Sequence, residues 1–224
     1  HMINNVATTS AASVFEITRQ RGCVARKSIA ASGPQIYFLS DDGVFTLQQG
    51  LDPAKGLGVA ISKVSGEAIP LSRPIQDQFK EVNYAAASKA CGIVFDNKYY
   101  LAVPTGSATD NNKIFVYDIL NNAWTSVDSF PSGFVIDDFV TVLHGSNPQK
   151  RRLFACNDKG WHLIEEAATD VTGTIGNAST TSTAITAKLK TRSFTFGSID
   201  VKSWKRGQLG CEVADGDNFT IKVN

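Results

Sequence analysis

The chain has 224 residues, with 22 Lys and Arg against 21 Asp and Glu. This near balance excludes a global electrostatic field that would attract nucleic acid or an anionic membrane, so binding to either would need a local patch. No apolar run approaches the ~20 residues of a membrane-spanning helix and no signal-peptide pattern opens the chain, so membrane contact is not expected.

The first two residues, His1-Met2, are typical of the remnant of a cleaved expression tag and are set aside. After them, short runs rich in Ile, Val, Phe, Tyr and Thr alternate with Gly, Asn and Asp clusters, which predicts strands and tight turns. The clearest hairpin is residues 35–48, where two apolar runs flank Ser40-Asp41-Asp42-Gly43. Gly43 can adopt the positive φ that such a turn requires.

The segment after this first unit breaks the strand pattern. Residues 70–80 begin as an extended linker that contains two prolines. Towards its end, Ile75, Phe79 and Val82 fall on one helical face. We therefore expect one short helix here, which joins two strand-rich units.

Three more hairpins are predicted farther along the chain. They are residues 92–103 across Asp96-Asn97-Lys98, residues 113–118 with 124–127 across Asn121-Asn122, and residues 152–164. In the last of them, Asp158 and Gly160 repeat the positions of Asp41 and Gly43. Each unit turns apolar strands around an Asn, Asp or Gly bend.

Repeated hairpins at intervals of a few tens of residues are typical of β-propeller blades or of a β-sandwich. We predict an all-β chain in which a β-propeller-like array of antiparallel blades spans residues 3–168, with few units for a closed propeller, so that either the blades are irregular or the ring is incomplete. Residues 169–183 are mostly Thr, Ser, Gly, Ala and Asn, which predicts a polar hinge or loop. Residues 184–224 then resume the strand pattern, as a closing strand and the start of a second, β-sandwich-like domain.

Two tryptophans, Trp124 and Trp161, lie just after predicted turns. A Trp at such a position carries a large apolar surface that an isolated hairpin cannot bury. Both are therefore predicted to pack between neighbouring sheets.

Candidate catalytic and metal-binding side chains are few. His162, on a strand beside Trp161, favours a packing role, and His144, before Gly145 at a turn, favours exposure to solvent. No GxSxG, HExxH or Walker motif is present. We assign no catalytic, cofactor-binding or metal-binding residue, and we do not expect an enzyme.

The cysteines are spread singly, without metal-ligand spacing. This favours reduced, small apolar core residues, with a disulfide or a reactive thiol as the alternatives. The four are Cys23, Cys91, Cys156 and Cys211.

For three polar clusters we also expect no catalytic, metal-binding or partner-binding role. The adjacent carboxylates Asp137-Asp138 and Glu165-Glu166 would point to opposite faces of a strand, unlike the converging pair of a glycosidase. The loop 108–112 offers oxygen ligands without EF-hand spacing, so we expect its Asn and Asp to close the loop. A set of basic residues follows the hinge. We expect these residues to form a solvent-exposed strand face, and contact with an acidic protein or with nucleic acid is the alternative. Its members are Lys188, Lys190, Arg192, Lys202, Lys205 and Arg206.

Val116-Tyr117-Asp118 followed by Asn122-Ala123-Trp124 resembles the end of a kelch blade, in which a Trp packs between blades. The wider layout resembles the propeller-bearing tail proteins of short-tailed bacteriophages, the tubular or nozzle proteins. The segments that carry this second resemblance are 27–29, 38–44, 74–75, Phe79, 82–83, 99–104 and 191–197.

The resemblance to phage tail proteins implies a non-catalytic structural subunit of the virion tail, assembled in the host cytoplasm and without a cofactor. Its partners would be other subunits of the same protein in a ring and neighbouring tail proteins. DNA would pass through that ring without specific contacts. The alternative is a kelch-like propeller module that binds a protein or glycan ligand through its loops.

Overall fold

The computed structural model describes residues 2–4, 13–15, 21–52, 56–61, 63–64, 67–130, 133–145, 148–164, 169–172 and 181–184. The chain divides into two units, His1–Ile185 and Thr186–Asn224. Every described residue belongs to the first unit, and the predicted second domain lies outside the described residues.

The described strands form three larger sheets and three two-stranded ribbons, all antiparallel. The first ribbon contains β1 (Met2–Asn4) and β2 (Ser13–Phe15). The first sheet contains β3 (Ala30–Ser32), β4 (Gln35–Ser40), β5 (Gly43–Asp52) and β6 (Gly56–Ile61). The second ribbon contains β7 (Lys63–Val64) and β8 (Glu67–Ala68).

The chain then makes a 3-10 turn at Arg73–Ile75, the helix α1 (Gln76–Phe79) and another 3-10 turn at Ala87–Lys89. The second sheet contains β9 (Cys91–Phe95), β10 (Lys98–Val103), β11 (Lys113–Asp118) and β12 (Ala123–Ser129). The third contains β13 (Asp138–His144), β14 (Lys150–Asn157) and β15 (Gly160–Leu163). In each sheet the strands lie side by side in chain order.

The all-β class is confirmed, because more than half of the described residues are in strands and the helical turns are short. The hairpin predicted at 35–48 forms with Gln35 opposite Gln48 and Ser40 opposite Gly43. Gly43 has a φ of +113°, and Gly160 has a φ of +131° at the matching turn of the third sheet. The repeated Asp and Gly therefore mark the same turn, between the second and third strands of a sheet.

The short helix predicted near residues 75–82 is also confirmed. Phe79 and Val82 are buried, and Ile75 packs against the same apolar cluster. The segment is anchored at its start, where the Leu71 N–H donates to the Val44 carbonyl at 2.6 Å. An amphipathic turn fits here because its apolar side faces the core and its polar side faces water.

Strand alternation places the core on both faces of the second sheet. From β10, Tyr99 and Leu101 join a buried cluster that also contains Tyr37 and Leu39 of the first sheet. The intervening Tyr100 joins a different cluster, shared with the third sheet. The first strands of the three sheets are neighbours, since β9 contacts both β3 and β13.

Buried hydrogen bonds link the first two sheets at this junction. The Tyr99 hydroxyl donates to the Ser28 carbonyl at 2.7 Å. The Ser28 hydroxyl donates to the Ala25 carbonyl at 2.7 Å and accepts from the Leu39 N–H at 2.9 Å. These bonds satisfy polar groups that would otherwise be costly to bury.

One part of the predicted hinge differs from expectation. The predicted hinge 169–183 contains β16 (Thr169–Thr172), which pairs with β17 (Thr181–Ala184), a strand that begins in the hinge and ends one residue beyond it. The Thr-rich ends of the segment can pair because Thr has a high strand propensity. A polar composition alone therefore does not exclude strands here. The predicted strands from residue 185 onward lie outside the described residues.

Candidate functional site

His144 and His162 each contact an aromatic ring. The His162 ring meets the Phe134 ring edge-on at 4.7 Å, and its Nε2 lies 3.2 Å from Asn157 Oδ1. Burial, with the Lys159 charge, lowers the pKa of His162, so its imidazole is neutral at pH 7. His144 is exposed at the end of β13, with its ring edge-on to Phe154 at 5.8 Å.

Of the paired carboxylates, Asp138 forms an ion pair with Lys27 at 2.9 Å. Lys27 Nζ also donates to the Asp137 carbonyl at 3.3 Å, and the hydrogen bond to Asp138 raises the pKa of Lys27. This contact connects the turn before the first sheet to the first strand of the third sheet. Glu165 and Glu166 lie outside the described residues, as do the six basic residues after the hinge.

The polar side chains of the loop 108–112 hold the loop in place. The Asn111 side-chain amide donates to the Ile136 carbonyl at 2.7 Å and to the Lys89 carbonyl at 2.9 Å. Asp110 accepts from Lys89 Nζ at 2.6 Å. Within the described ranges, no group of three or more His, Cys, Asp and Glu side chains could hold a metal ion. None of the helices in those ranges is long and apolar enough to cross a membrane.

The cysteines differ in environment, so the prediction that all are core residues is wrong in part. Cys91 is fully buried, and burial raises its pKa to about 12. Cys156 is half-buried, whereas Cys23 is exposed and its thiol donates to the Ala25 carbonyl at 3.0 Å. Cys23 lies in an irregular segment before the first sheet, where no strand alternation directs a side chain inward. Cys211 lies outside the described residues.

This difference predicts a selective thiol reaction. At pH 8, a disulfide reagent should modify Cys23 rapidly. Its reaction with Cys91 should be slower by a factor on the order of 100 or more, because Cys91 must first be exposed by unfolding. Peptide mapping by mass spectrometry after timed quenching gives both rates. Denatured protein is the control, in which the two rates should converge, and equal rates in the native protein would contradict the burial of Cys91.

The two tryptophans also differ. Trp124 packs against the rings of Phe79, Phe115 and Tyr117, and its indole N–H donates to the Leu71 carbonyl at 3.0 Å. Trp124 is therefore packed as predicted, but the rings that it contacts belong to its own sheet and to α1 and not to a neighbouring sheet. The prediction is wrong for Trp161, whose exposed fraction is 64%. Trp161 lies on a face of the third sheet against which no buried cluster of described residues packs.

Among the described residues, the third sheet is covered on one face, and no other sheet packs on its opposite face. The strand register places Phe139, Ala155 and His162 on the face towards the second sheet. The opposite face carries Asp138, His144, Lys150 and Arg152 together with a set of apolar side chains, and we call these apolar side chains the third-sheet surface. Its members are Val140, Val142, Phe154, Cys156, Trp161 and Leu163.

The edge of this sheet is open as well. The first two sheets have four strands, whereas the third has three, and among the described strands none pairs with the outer edge of β15. The Ile164 N–H donates to the Leu153 carbonyl at 2.9 Å. Because bonding direction alternates along an antiparallel strand, the N–H and C=O groups of Trp161 and Leu163 point to the outer edge.

The edge strand β15 lacks the features that usually protect an exposed edge. β15 carries no charged side chain at neutral pH, and Leu163 is also exposed, at 38%. Natural edges are usually protected by charge, Pro or coverage, and an unprotected apolar edge is a site where another chain can add. A Trp at its centre is the residue type most enriched in protein–protein contacts.

Sequence reasoning missed this surface. The usable signal was the uncharged run Gly160-Trp161-His162-Leu163 in a unit without a predicted fourth strand. Comparisons of the chain with protein-family models, with curated proteins and with solved structures found no match.

Proposed function

We propose that this protein is a non-catalytic structural subunit of a bacteriophage tail, of the tubular or nozzle kind, which joins other copies of itself in a ring. The observation that carries the proposal is the third-sheet surface, where exposed Trp161 and Leu163 lie on an edge strand with which no other described strand pairs. The resemblance of the sequence to tail proteins supports the assignment to a virion.

The packing of the three larger sheets supports the same proposal, because it fits a propeller-like array. The three larger sheets are antiparallel meanders with adjacent first strands, and the second sheet is covered on both faces by its neighbours. Consecutive blades of a propeller would pack against one another in this way. In such an arrangement the third-sheet surface is where the next sheet would stack, and a neighbouring subunit can supply that sheet.

Light scattering coupled to size-exclusion chromatography tests the assembly. The mass of the particles should increase with protein concentration. Trp161→Ala should raise the concentration at which half of the protein is assembled about tenfold, because a central Trp in an interface contributes at least about 1.4 kcal/mol. Leu120→Ala is the matched control, since Leu120 is 72% exposed at a turn of the second sheet. It should leave the half-point unchanged.

Electron microscopy distinguishes the kind of assembly. A contact between two different surfaces yields a closed ring if the rotation closes, and filaments if it does not. Closed rings that disappear in Trp161→Ala support the proposal. A protein that stays monomeric at high concentration, alone and with neighbouring tail proteins, would contradict it.

A kelch-like module that binds a protein or glycan is the second candidate. The packing of Trp124 against Tyr117, at 5.2 Å between rings, supports the similarity to a kelch blade. A glycan array distinguishes the two, since a tail-ring subunit should show no saturable glycan binding.

A further inference from the structure

A cleft opens between the second and third sheets, away from the third-sheet surface. Its volume is about 590 Å³, within the range of sites that hold small organic molecules. Ile93 and Phe95 of β9 line one side, and Thr141 of β13 and Leu153 of β14 line the other.

The strand register explains why the cleft lies there. On the covered face of the third sheet, Phe139 opposite Ala155 forms a buried row, and Thr141 opposite Leu153 forms the next. One row farther, Leu143 lies opposite Arg151, and both are exposed. The two sheets are therefore in contact at one end of the face and separate towards the other.

The cleft combines an apolar floor with a cationic mouth. Leu153 is buried, and Ile93, Phe95 and Ile164 are partly buried beside it. Arg151 lies at the mouth and has no ion-pair partner among the described residues. A guanidinium can bind a carboxylate or sulfonate through two parallel hydrogen bonds.

Charge narrows the class of ligand further. The strand register places the Arg152 side chain on the opposite face of the third sheet, so among the residues that line the cleft Arg151 offers a basic side chain and Asp96 an acidic one. The Arg151 guanidinium can bind one anionic group, whereas the Asp96 carboxylate opposes the approach of a second. An apolar body would displace water from the floor, which is favourable.

We infer that this cleft is a binding site for a small organic monoanion with an apolar body, such as a medium-chain or aromatic carboxylate or sulfonate. The apolar body lies between Phe95 and Leu153, and the anionic group contacts Arg151. The inference does not depend on the proposed assembly, because the cleft and the third-sheet surface are on opposite faces of the third sheet.

Fluorescence titration with 8-anilinonaphthalene-1-sulfonate tests the site, since this probe joins an apolar body to one sulfonate. We expect saturable binding at one site per chain. Arg151→Gln should weaken that binding about tenfold, whereas Lys150→Gln, which removes the same charge from the adjacent exposed residue, should change it less than twofold. Equal effects of the two variants would show attraction to general surface charge and would overturn the inference.

Two further measurements keep the test independent of the assembly surface and of folding. Trp161→Ala should leave binding unchanged, and loss of binding in that variant would place the probe on the third-sheet surface instead. Octanoate should displace the probe from the unaltered protein at least tenfold better than octanol. Equal displacement by both would exclude a role for the anionic group.

Discussion

Trp124→Ala should lower the free energy of unfolding by about 3 kcal/mol, within the range for truncation of a packed aromatic side chain. The indole contacts three aromatic rings and donates a hydrogen bond to the Leu71 carbonyl, so its removal leaves a cavity and an acceptor without its partner. Urea unfolding of dilute protein, followed by circular dichroism, measures the change.

Trp161→Ala is the matched control for this experiment, because it removes the same side chain from an exposed position. Its cost should be about 0.5 kcal/mol or less when the protein is monomeric. Equal destabilisation by the two variants would contradict the burial of Trp124 and the exposure of Trp161.

Gly43→Ala should cost about 3 kcal/mol, through two effects. At a φ of +113°, only glycine is free of backbone strain. An added Cβ would also overlap the Ser72 hydroxyl, which accepts a hydrogen bond from the Val44 N–H at 3.1 Å. The turn must move or the hydrogen bond must break, and both destabilise the junction of β5 with the segment that precedes α1.

Gly33→Ala separates the two effects. Gly33 also has a positive φ, of +54°, but an added Cβ there meets no atom within 4 Å. Its cost should therefore be about 1 kcal/mol, the cost of left-handed backbone alone. Thermal unfolding of both variants gives the comparison, and similar melting temperatures would mean that the contact with Ser72 contributes nothing.

The hairpins could be predicted from the sequence because their determinants are local. Gly43 and Gly160 supply positive φ, and Asp96 and Asn97 adopt φ values of +46° and +57° in a two-residue turn. The short helix near Phe79 was likewise predictable, since its apolar spacing is complete within one segment. These features depend on residues that are close together in the chain.

The arrangement of the sheets could not be predicted in the same way. Alternation shows that a strand has two faces, but it does not show which face a distant sheet covers. Trp124 and Trp161 both follow turns, yet only Trp124 meets a neighbouring segment. The cleft was equally hidden, because Phe95 and Arg151 come from different sheets and are far apart in the sequence.

The contact between Lys27 and the start of β13 bears on the order in which the protein folds. Lys27 Nζ reaches the Asp137 carbonyl across 110 residues of chain. At on the order of 10 residues per second, a ribosome needs about ten seconds to make that stretch. The first two sheets can pack against each other during this time, whereas the contact of Lys27 can form only after the start of β13 has been synthesised. The exposed pair adds little stability by itself, so the first two sheets do not depend on it while the rest of the chain is being made.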